Sequence, residues 1–145
     1  MNLLTHPFFT YFSDISARAL AEYVDEVTIN DDTLLFEEGD PSEHVYLVLE
    51  GKVELSKKAG DNRQISISTV KTGDYFGEWG VLDEHPRSTR ATSRGVVRVA
   101  KIPGPPLIRI LNQEPAYVTL QLVRTLLAHL RRTNDRFVES SIRKV

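Results

Sequence analysis

The spacing of apolar and polar residues divides the chain into three parts. In residues 1–23 the apolar side chains recur at helical intervals, which predicts a short helical lead-in with Asp14 as its cap. From Val24 to Ile102, short runs rich in β-branched and aromatic residues alternate with turn residues, a pattern typical of an all-β fold. Beyond Ile102 the helical period returns, and it runs from Pro115 to about Ser140.

The middle part contains enough short runs for about eight strands. Turn sequences such as Glu50-Gly51 and Thr72-Gly73-Asp74 separate them. The pattern therefore predicts a mainly β fold with flanking helices, an eight-stranded jelly roll or β-roll. The predicted strands are Val24 to Ile29, Thr33 to Phe36, Val45 to Leu49, Lys52 to Lys57, Gln64 to Val70, one near Asp74, Ser88 to Thr92, and Val96 to Ile102.

The C-terminal helix carries two apolar stripes. Pro115 is expected at an early helical position, where its missing N–H costs nothing. One stripe has the 3-4 spacing of a heptad seam, which favours a homodimer through this helix. Alternatively the seam packs on the chain's own barrel, although a second set could serve that contact. The seam is Leu120, Val123, Leu127, Leu130, Asn134 and Phe137, and the second set is Val118, Leu122 and Leu126.

Length and composition set limits on this outline. A chain of 145 residues suits a single domain, with a lead-in (1–23), a β-roll (24–102) and C-terminal helices (103–145). No apolar run reaches the roughly 18 residues of a membrane span, and no secretory signal is evident, so we expect a cytoplasmic protein. The absence of cysteine excludes disulfides and thiolate ligands, and a net charge of -2 argues against a surface built for nucleic acid.

Residues 74–89 have the composition of an anion-binding segment. Gly77 and Gly80 allow the backbone to approach a ligand, and N–H groups at the start of a short helix donate to phosphate oxygens. Arg87 adds a planar, permanently charged fork that matches a phosphate. Glu78 has the wrong charge for a phosphate, but an ionised carboxylate accepts a hydrogen bond from a sugar hydroxyl. A phosphate and a hydroxyl together describe a nucleotide.

Two alternatives to a nucleotide site need no such ligand. Glu78 and Arg87 could form an ion pair across a turn, although such a pair does not explain the glycines. An enzyme is the second alternative, because metal-dependent cupins share the jelly roll. The four histidines lack the close His-x-His spacing of that kind of metal site; they are His6, His44, His85 and His129.

Two spaced motifs make the sequence resemble the cyclic-nucleotide-binding domain family. The phosphate-binding cassette of that family reads Phe-Gly-Glu, a variable stretch, then Arg and a small residue, and Phe76-Gly77-Glu78 and Arg87-Ser88 match it at the family spacing. The second motif appears as Gly39, Tyr46-Leu47-Val48 and Gly51-Lys52-Val53. The resemblance covers almost the whole chain. It implies that Glu78 binds the ribose 2′-hydroxyl, while Arg87 and the backbone from Gly77 to Gly80 hold the cyclic phosphate.

The chain departs from the family pattern at two cassette positions. Thr89 stands where the family usually has alanine, and Trp79 replaces the usual Leu or Ile, so the fit of the ligand is expected to differ. The stretch Leu130 to Asp135 resembles the place where the catabolite-activator branch contacts adenine, which makes Thr133 and Asn134 candidate base contacts. Alternatively, Asn134 sets the seam register and Thr133 faces solvent. The full set of candidate ligand-binding residues is Gly77, Glu78, Trp79, Gly80, Arg87, Ser88, Thr89, Thr133 and Asn134.

The resemblance implies a regulatory domain rather than an enzyme. Its expected ligand is cyclic AMP ahead of cyclic GMP, although Ser88 is compatible with either purine. The expected mechanism is a shift in the arrangement of the C-terminal helices, which acts on a dimer or on a separate effector. The chain as printed contains no recognition helix, so we expect no direct DNA binding. The alternative is a degenerate copy of the fold that binds no nucleotide and serves as a protein-interaction or dimerisation module.

Overall fold

The computed structural model describes residues 1–128 of the chain, and the fold is that of this range. Two 3-10 turns, Leu3–Thr5 and Pro7–Tyr11, lead into helix α1 (Asp14–Ala21). Six strands follow: β1 (Asp25–Ile29), β2 (Leu34–Phe36), β3 (His44–Lys58), β4 (Gln64–Lys71), β5 (Tyr75–Phe76) and β6 (Arg90–Pro103). Helix α2 (Glu78–Asp83) lies between β5 and β6, α3 (Gly104–Gln113) follows β6, and α4 covers residues 116–128.

The strands form one antiparallel sheet built on the long strands β3 and β6. The order is β1-β6-β3-β4, with β2 paired to β6 and β5 paired to β3. The mainly β fold with flanking helices is therefore confirmed, but two pairs of predicted strands are single strands. The predicted break at Glu50-Gly51 is a register shift inside β3, where Gly51 has φ +109° and an added Cβ would lie 2.9 Å from the Val96 carbonyl oxygen. The turn signal marks a bulge that bends the strand without ending it.

Two helix starts differ from the sequence prediction by one residue. Ser13, not Asp14, caps α1, because its side-chain oxygen accepts a hydrogen bond from the Ser16 N–H at 3.3 Å. Asp14 is the first residue of the helix, where its negative charge interacts favourably with the positive end of the helix dipole. Pro115 lies just before α4, and its carbonyl accepts from the Val118 N–H at 3.0 Å.

Strand β3 divides the interior into two clusters. Successive side chains of a strand point to opposite faces, so Val45, Leu47 and Leu49 pack with the lead-in, α3 and α4. Tyr46 and Val48 point into the roll, where the second cluster lies. Both faces of this part of β3 are buried, which explains why its sequence is a continuous apolar run rather than an alternating one. The second cluster comprises Phe36, Tyr46, Val48, Val53, Phe76, Ala91, Val97 and Val99.

Helix α4 uses the second apolar set to pack on the roll. Val118 and Leu122 are buried, and Leu126 is half-buried. The seam residues behave differently: Leu120, Val123 and Leu127 are 47%, 42% and 46% exposed. For these three residues the alternative that the seam packs on the chain's own barrel is wrong. Leu130, Asn134 and Phe137 lie outside the described residues.

Candidate functional site

The cassette begins where β5 leaves the sheet. Pairing of Phe76 with Tyr46 of β3 fixes the end of β5, and Gly77 then turns the chain with φ +80°. Only glycine adopts this left-handed conformation without strain, and the turn places Glu78 at the first position of α2. The short helix ends at Asp83, and the residue that caps it, Glu84, is left-handed with φ 59°. The variable loop of the cassette then returns the chain to Arg87.

The side chain of Arg87 is folded inward and is only 6% exposed. Its Nη1 donates to the Gly77 carbonyl at 2.7 Å, and its Nη2 donates to the His44 carbonyl at 2.6 Å. Among the described residues its Nε is buried and has no hydrogen-bond partner. A buried donor without an acceptor costs free energy, and this one belongs to a permanently charged group. The site therefore holds a charged donor that has no acceptor among the described residues.

The guanidinium of Arg87 also lies on an aromatic cluster inside the roll. Its carbon is 4.2 Å from the centroid of the Phe36 ring and 5.8 Å from that of Tyr46. The Tyr46 and Phe76 rings stack at 5.1 Å between centroids, and Phe36 is 5.7 Å from Tyr46. Cation–π attraction over a buried ring compensates part of the desolvation of the charge.

The backbone of Arg87 is fixed by the loop between β2 and β3. The Gly39 N–H donates to the Arg87 carbonyl at 2.8 Å, and the Arg87 N–H donates to the Asp40 carbonyl at 2.8 Å. The Ser42 hydroxyl donates to the His85 carbonyl at 2.7 Å and ties the same loop to the cassette. Gly39, the glycine of the second sequence motif, thus helps to hold the cassette, which is the first motif.

The cassette glycines leave room for the protein's own atoms. A Cβ on Gly77 would lie 2.5 Å from Nη1 of Arg87. A Cβ on Gly80 would overlap the Ser42 hydroxyl and approach the His85 carbonyl oxygen to 2.6 Å. The sequence predicted that both glycines allow close approach of a ligand. In the structure, close packing within the cassette already requires them.

Glu78 is buried, with 7% exposure, in the same region as Arg87. Burial raises the pKa of Glu78 from 4.5 to about 7, against the smaller opposing effects of a hydrogen bond to its own backbone and of the Arg87 charge. No Glu78–Arg87 ion pair within 4.0 Å is present in the part of the chain that the structure describes, where Arg87 donates to carbonyls instead. The ion-pair alternative is therefore not what this structure contains.

The other predicted site residues lie around this centre. Trp79 is 38% exposed, Ser88 is exposed and Thr89 is half-buried. The carbonyl of Ser88 accepts from Nζ of Lys57 at 3.3 Å. The structure thus brings Gly77, Glu78, Gly80 and Arg87 together and sets the other three at the edge. Thr133 and Asn134 lie outside the described residues.

Sequence reasoning missed the groups that hold Arg87. Phe36 and the His44 carbonyl come from strands more than forty positions earlier, and their contact with Arg87 has no local sequence signal. Tyr46 was part of a recognised motif, but the motif does not reveal what the ring contacts.

A chain of hydroxyl groups joins the cassette to the helices. Tyr75, two residues before Gly77, lies 3.4 Å from Tyr11 between hydroxyl oxygens, and Tyr11 lies 2.9 Å from Oγ1 of Thr125 in α4. Burial raises the pKa of Tyr75, so its phenol stays protonated as a donor. The buried His6 adds a second link, since its Nε2 is 3.1 Å from the Asp74 carbonyl and its Nδ1 accepts from the Phe8 N–H. The lead-in is therefore in direct contact both with α4 and with the residues that immediately precede the cassette.

A polar cleft of about 690 Å³ lies beside the cassette support loop and includes none of the predicted ligand-binding residues. It is lined by Glu37, Glu38, Gly39, Lys58, Asn62, Gln64 and Arg90. Its two central charges satisfy each other, because Arg90 donates to Glu37 from both Nε and Nη2, at 3.0 and 2.7 Å. Within residues 1–128 no group of three or more histidine, aspartate or glutamate side chains is placed to hold a metal ion. In the same range no helix combines the length and apolar character needed to cross a bilayer.

Comparison with known proteins bears directly on this cassette. A family model for the cyclic nucleotide-binding domain matches residues 26–114. The CRP-like cAMP-activated global transcriptional regulator of Mycobacterium tuberculosis is 31% identical over 105 residues, which are 72% of this chain and 46% of the relative. The chain thus spans about half the length of this curated relative.

Two solved structures extend the likeness to the fold. The N-terminal domain of a transcriptional regulator from Streptomyces coelicolor aligns with a TM-score of 0.70 and 32% identity, over 92% of this chain and 94% of that domain. The regulatory domain of Toxoplasma gondii PKA, crystallised with cAMP, aligns with a TM-score of 0.75 over 87% of this chain and 47% of that one. At 20% identity, the second likeness is one of fold alone.

Proposed function

This chain belongs to the cyclic nucleotide-binding domain family, and we propose that it binds a cyclic nucleotide and transmits the binding through its C-terminal helices. The observation that carries the proposal is the state of Arg87. Its guanidinium is buried, positioned by two carbonyls, and retains an unpaired Nε–H among the described residues. A phosphate oxygen is the acceptor that such a charged donor binds most strongly.

Each proposed ligand contact has a chemical reason. Arg87 neutralises the single negative charge of the cyclic phosphate, and the backbone from Gly77 to Gly80 lies beside it. Glu78 accepts the ribose 2′-hydroxyl hydrogen bond, which favours the ionised carboxylate. Trp79, Ser88 and Thr89 contact the ligand from the edge of the site. Thr133 and Asn134 are proposed to contact the base.

Cyclic AMP is the proposed ligand ahead of cyclic GMP. The relative from Mycobacterium tuberculosis is described as cAMP-activated, and the Toxoplasma gondii domain was crystallised with cAMP. In this chain Ser88 suits either purine, so the preference rests on these relatives.

The proposed output is mechanical and regulatory, not catalytic. The hydroxyl chain from Tyr75 through Tyr11 to Thr125 supports a coupling between the cassette and α4. The exposed seam residues Leu120, Val123 and Leu127 on α4 support a homodimer. In such a dimer the coupling would change how the two copies are arranged. A separate effector domain or protein then receives the signal, without direct DNA contact by this chain.

Isothermal titration with cyclic AMP and cyclic GMP tests the proposal. Wild-type protein is expected to bind at least one of them, and Arg87→Ala is expected to weaken that binding at least a hundredfold, since it removes a buried charge partner of the phosphate. Arg94→Ala is the matched control, because Arg94 pairs with Asp32 and Glu54 on the surface. If wild-type protein bound neither nucleotide, the protein-interaction module would replace the proposed function.

A further inference from the structure

The ring of Phe36 packs against the guanidinium of Arg87, the charged group on which the proposed function depends. Phe36 is the last residue of β2, it is buried, and its register partner on β6 is Ala91. Its ring is the nearest aromatic ring to Arg87, at 4.2 Å from the guanidinium carbon. The inference below rests on the proposed function and concerns what this ring contributes to it.

The two hydrogen bonds of the Arg87 side chain do not by themselves fix the tilt of its guanidinium plane. Nη1 and Nη2 donate to the carbonyls of Gly77 and His44, and together they fix the line that joins the two nitrogens. Tilting of the guanidinium plane about that line is opposed only by the side-chain stem and by whatever packs against the face of the plane. Nε does not lie on the line, so the two hydrogen bonds alone do not set the direction of its N–H bond. A contact on the face of the plane, such as the one with Phe36, adds to the stem in setting that direction.

We propose that Phe36 is a positioning residue of the phosphate site: its ring face fixes the guanidinium plane of Arg87 and thereby the direction of the Nε–H donor. The face of an aromatic ring carries negative potential, so it attracts the cation without taking one of its N–H donors. An aliphatic side chain of similar volume fills the space but supplies no such attraction. An acceptor side chain at this position would consume the donor that the phosphate needs.

The rest of the aromatic cluster supports the ring in this position. Tyr46 and Phe76 contact Phe36 at centroid distances of 5.7 and 6.0 Å. Both are fixed by the pairing of β5 with β3. The ring therefore has little freedom to follow Arg87 if the guanidinium turns.

Phe36→Leu tests the proposal, because leucine retains an apolar side chain and lacks the ring face. Its affinity for cyclic AMP is expected to fall about tenfold, within the range of a buried cation–π contact, while the affinity for adenosine changes less than twofold. Adenosine lacks the phosphate and is measured by competition. Val99→Ala is the control, since it removes volume from the same apolar cluster and is expected to lower the melting temperature without changing the ratio of the two affinities.

A measurement on the ligand-free protein tests the positioning step alone. The Nε–H proton of Arg87 is expected to show an upfield ring-current shift and slow exchange with water in the wild type, and to lose both in Phe36→Leu. An unshifted, rapidly exchanging proton in the wild type would overturn the proposal. Equal weakening of cyclic AMP and adenosine would also overturn it, and would leave Phe36 as a core residue. A wild-type protein that binds neither cyclic nucleotide would overturn the proposed function and this inference together.

Discussion

Glu78 and Arg87 are buried in the same cassette, yet Arg87 directs its terminal nitrogens to the carbonyls of Gly77 and His44 rather than to the Glu78 carboxyl group. The two charges influence each other only at longer range. Neither side chain therefore has to break an ion pair before it meets a ligand. This separation is what the proposed binding site requires, and a structural salt bridge would not show it.

The stability of the ligand-free protein is expected to depend on the protonation of Glu78. Because burial raises its pKa from 4.5 to about 7, the folded state keeps a proton that the unfolded state releases. The free energy of unfolding should fall as pH rises from about 4.5 to 7, by up to about 3 kcal/mol. Glu78→Gln removes this contribution, and urea unfolding at pH 5, 6, 7 and 8 measures it.

The difference in free energy of unfolding between the wild type and Glu78→Gln separates the contribution of Glu78 from that of other titratable groups. Burial lowers the pKa values of His6 and His44, so their contribution to stability is lost as pH falls below 6.5, in the opposite direction. Both histidines are present in the variant and cancel in the comparison. Parallel stability profiles for wild type and Glu78→Gln would contradict the prediction.

Gly77→Ala is expected to damage folding and binding together. The residue is left-handed, which costs a non-glycine residue about 1 kcal/mol, and the new Cβ would collide with Nη1 of Arg87. Thermal unfolding should show a clear loss of stability, and titration with cyclic AMP should show at least tenfold weaker binding. Gly60→Ala is the control, because nothing lies within 4 Å of a Cβ there. If the two variants behaved alike, the close contact of Arg87 with Gly77 would not matter for folding or binding.

Thr125→Val is expected to weaken the coupling between ligand and α4 while leaving the site intact. The change removes the Oγ1 that lies 2.9 Å from the Tyr11 hydroxyl and keeps the side-chain shape. Hydrogen exchange of residues 116–128 should respond to cyclic AMP less in this variant than in the wild type. The affinity of the variant for cyclic AMP should stay within about threefold of the wild-type affinity. Thr119→Val, at an exposed position of the same helix, should respond as the wild type does. A full response in Thr125→Val would exclude this hydroxyl chain as the route.

Leu127→Glu is expected to convert a dimer into a monomer. The leucine is 46% exposed in the single chain, so burying the rest of it between two copies contributes about 1 kcal/mol, whereas a buried glutamate is unfavourable. Sedimentation equilibrium measures the change, and circular dichroism checks that the variant is folded. Gln121→Glu introduces the same charge at another exposed position of the helix and should remain dimeric. A monomeric wild type would contradict the seam interpretation.

The position of the cassette was predictable from sequence because its signals are local. Glycines at a turn, an arginine after a proline and the spacing between them all lie within residues 76–88. The mainly β fold was predictable for a similar reason, since alternation and turn residues recur at short intervals. The cap of α1 and the start of α4 were each misplaced by one residue, which is the usual limit of such signals.

The support of Arg87 was not predictable because it depends on pairing between distant strands. Phe36 is placed at the guanidinium by the pairing of β2 with β6, and the His44 carbonyl belongs to the first residue of β3. The eight predicted strands became six for a related reason. A glycine that reads as a turn in isolation is held within β3 by Val96 and Val97 of the partner strand.

The long pairing of β3 with β6 also bears on how the domain folds. It joins His44 to Pro103, and the whole cassette lies in the segment between them. Such distant contacts close slowly, so we expect the cassette to take its final form only after the two strands have met. A ligand added to the unfolded chain is then expected to leave the refolding rate unchanged and to slow unfolding, which stopped-flow kinetics with and without cyclic AMP would measure. Cyclic nucleotide would thus extend the lifetime of the finished domain without guiding its formation.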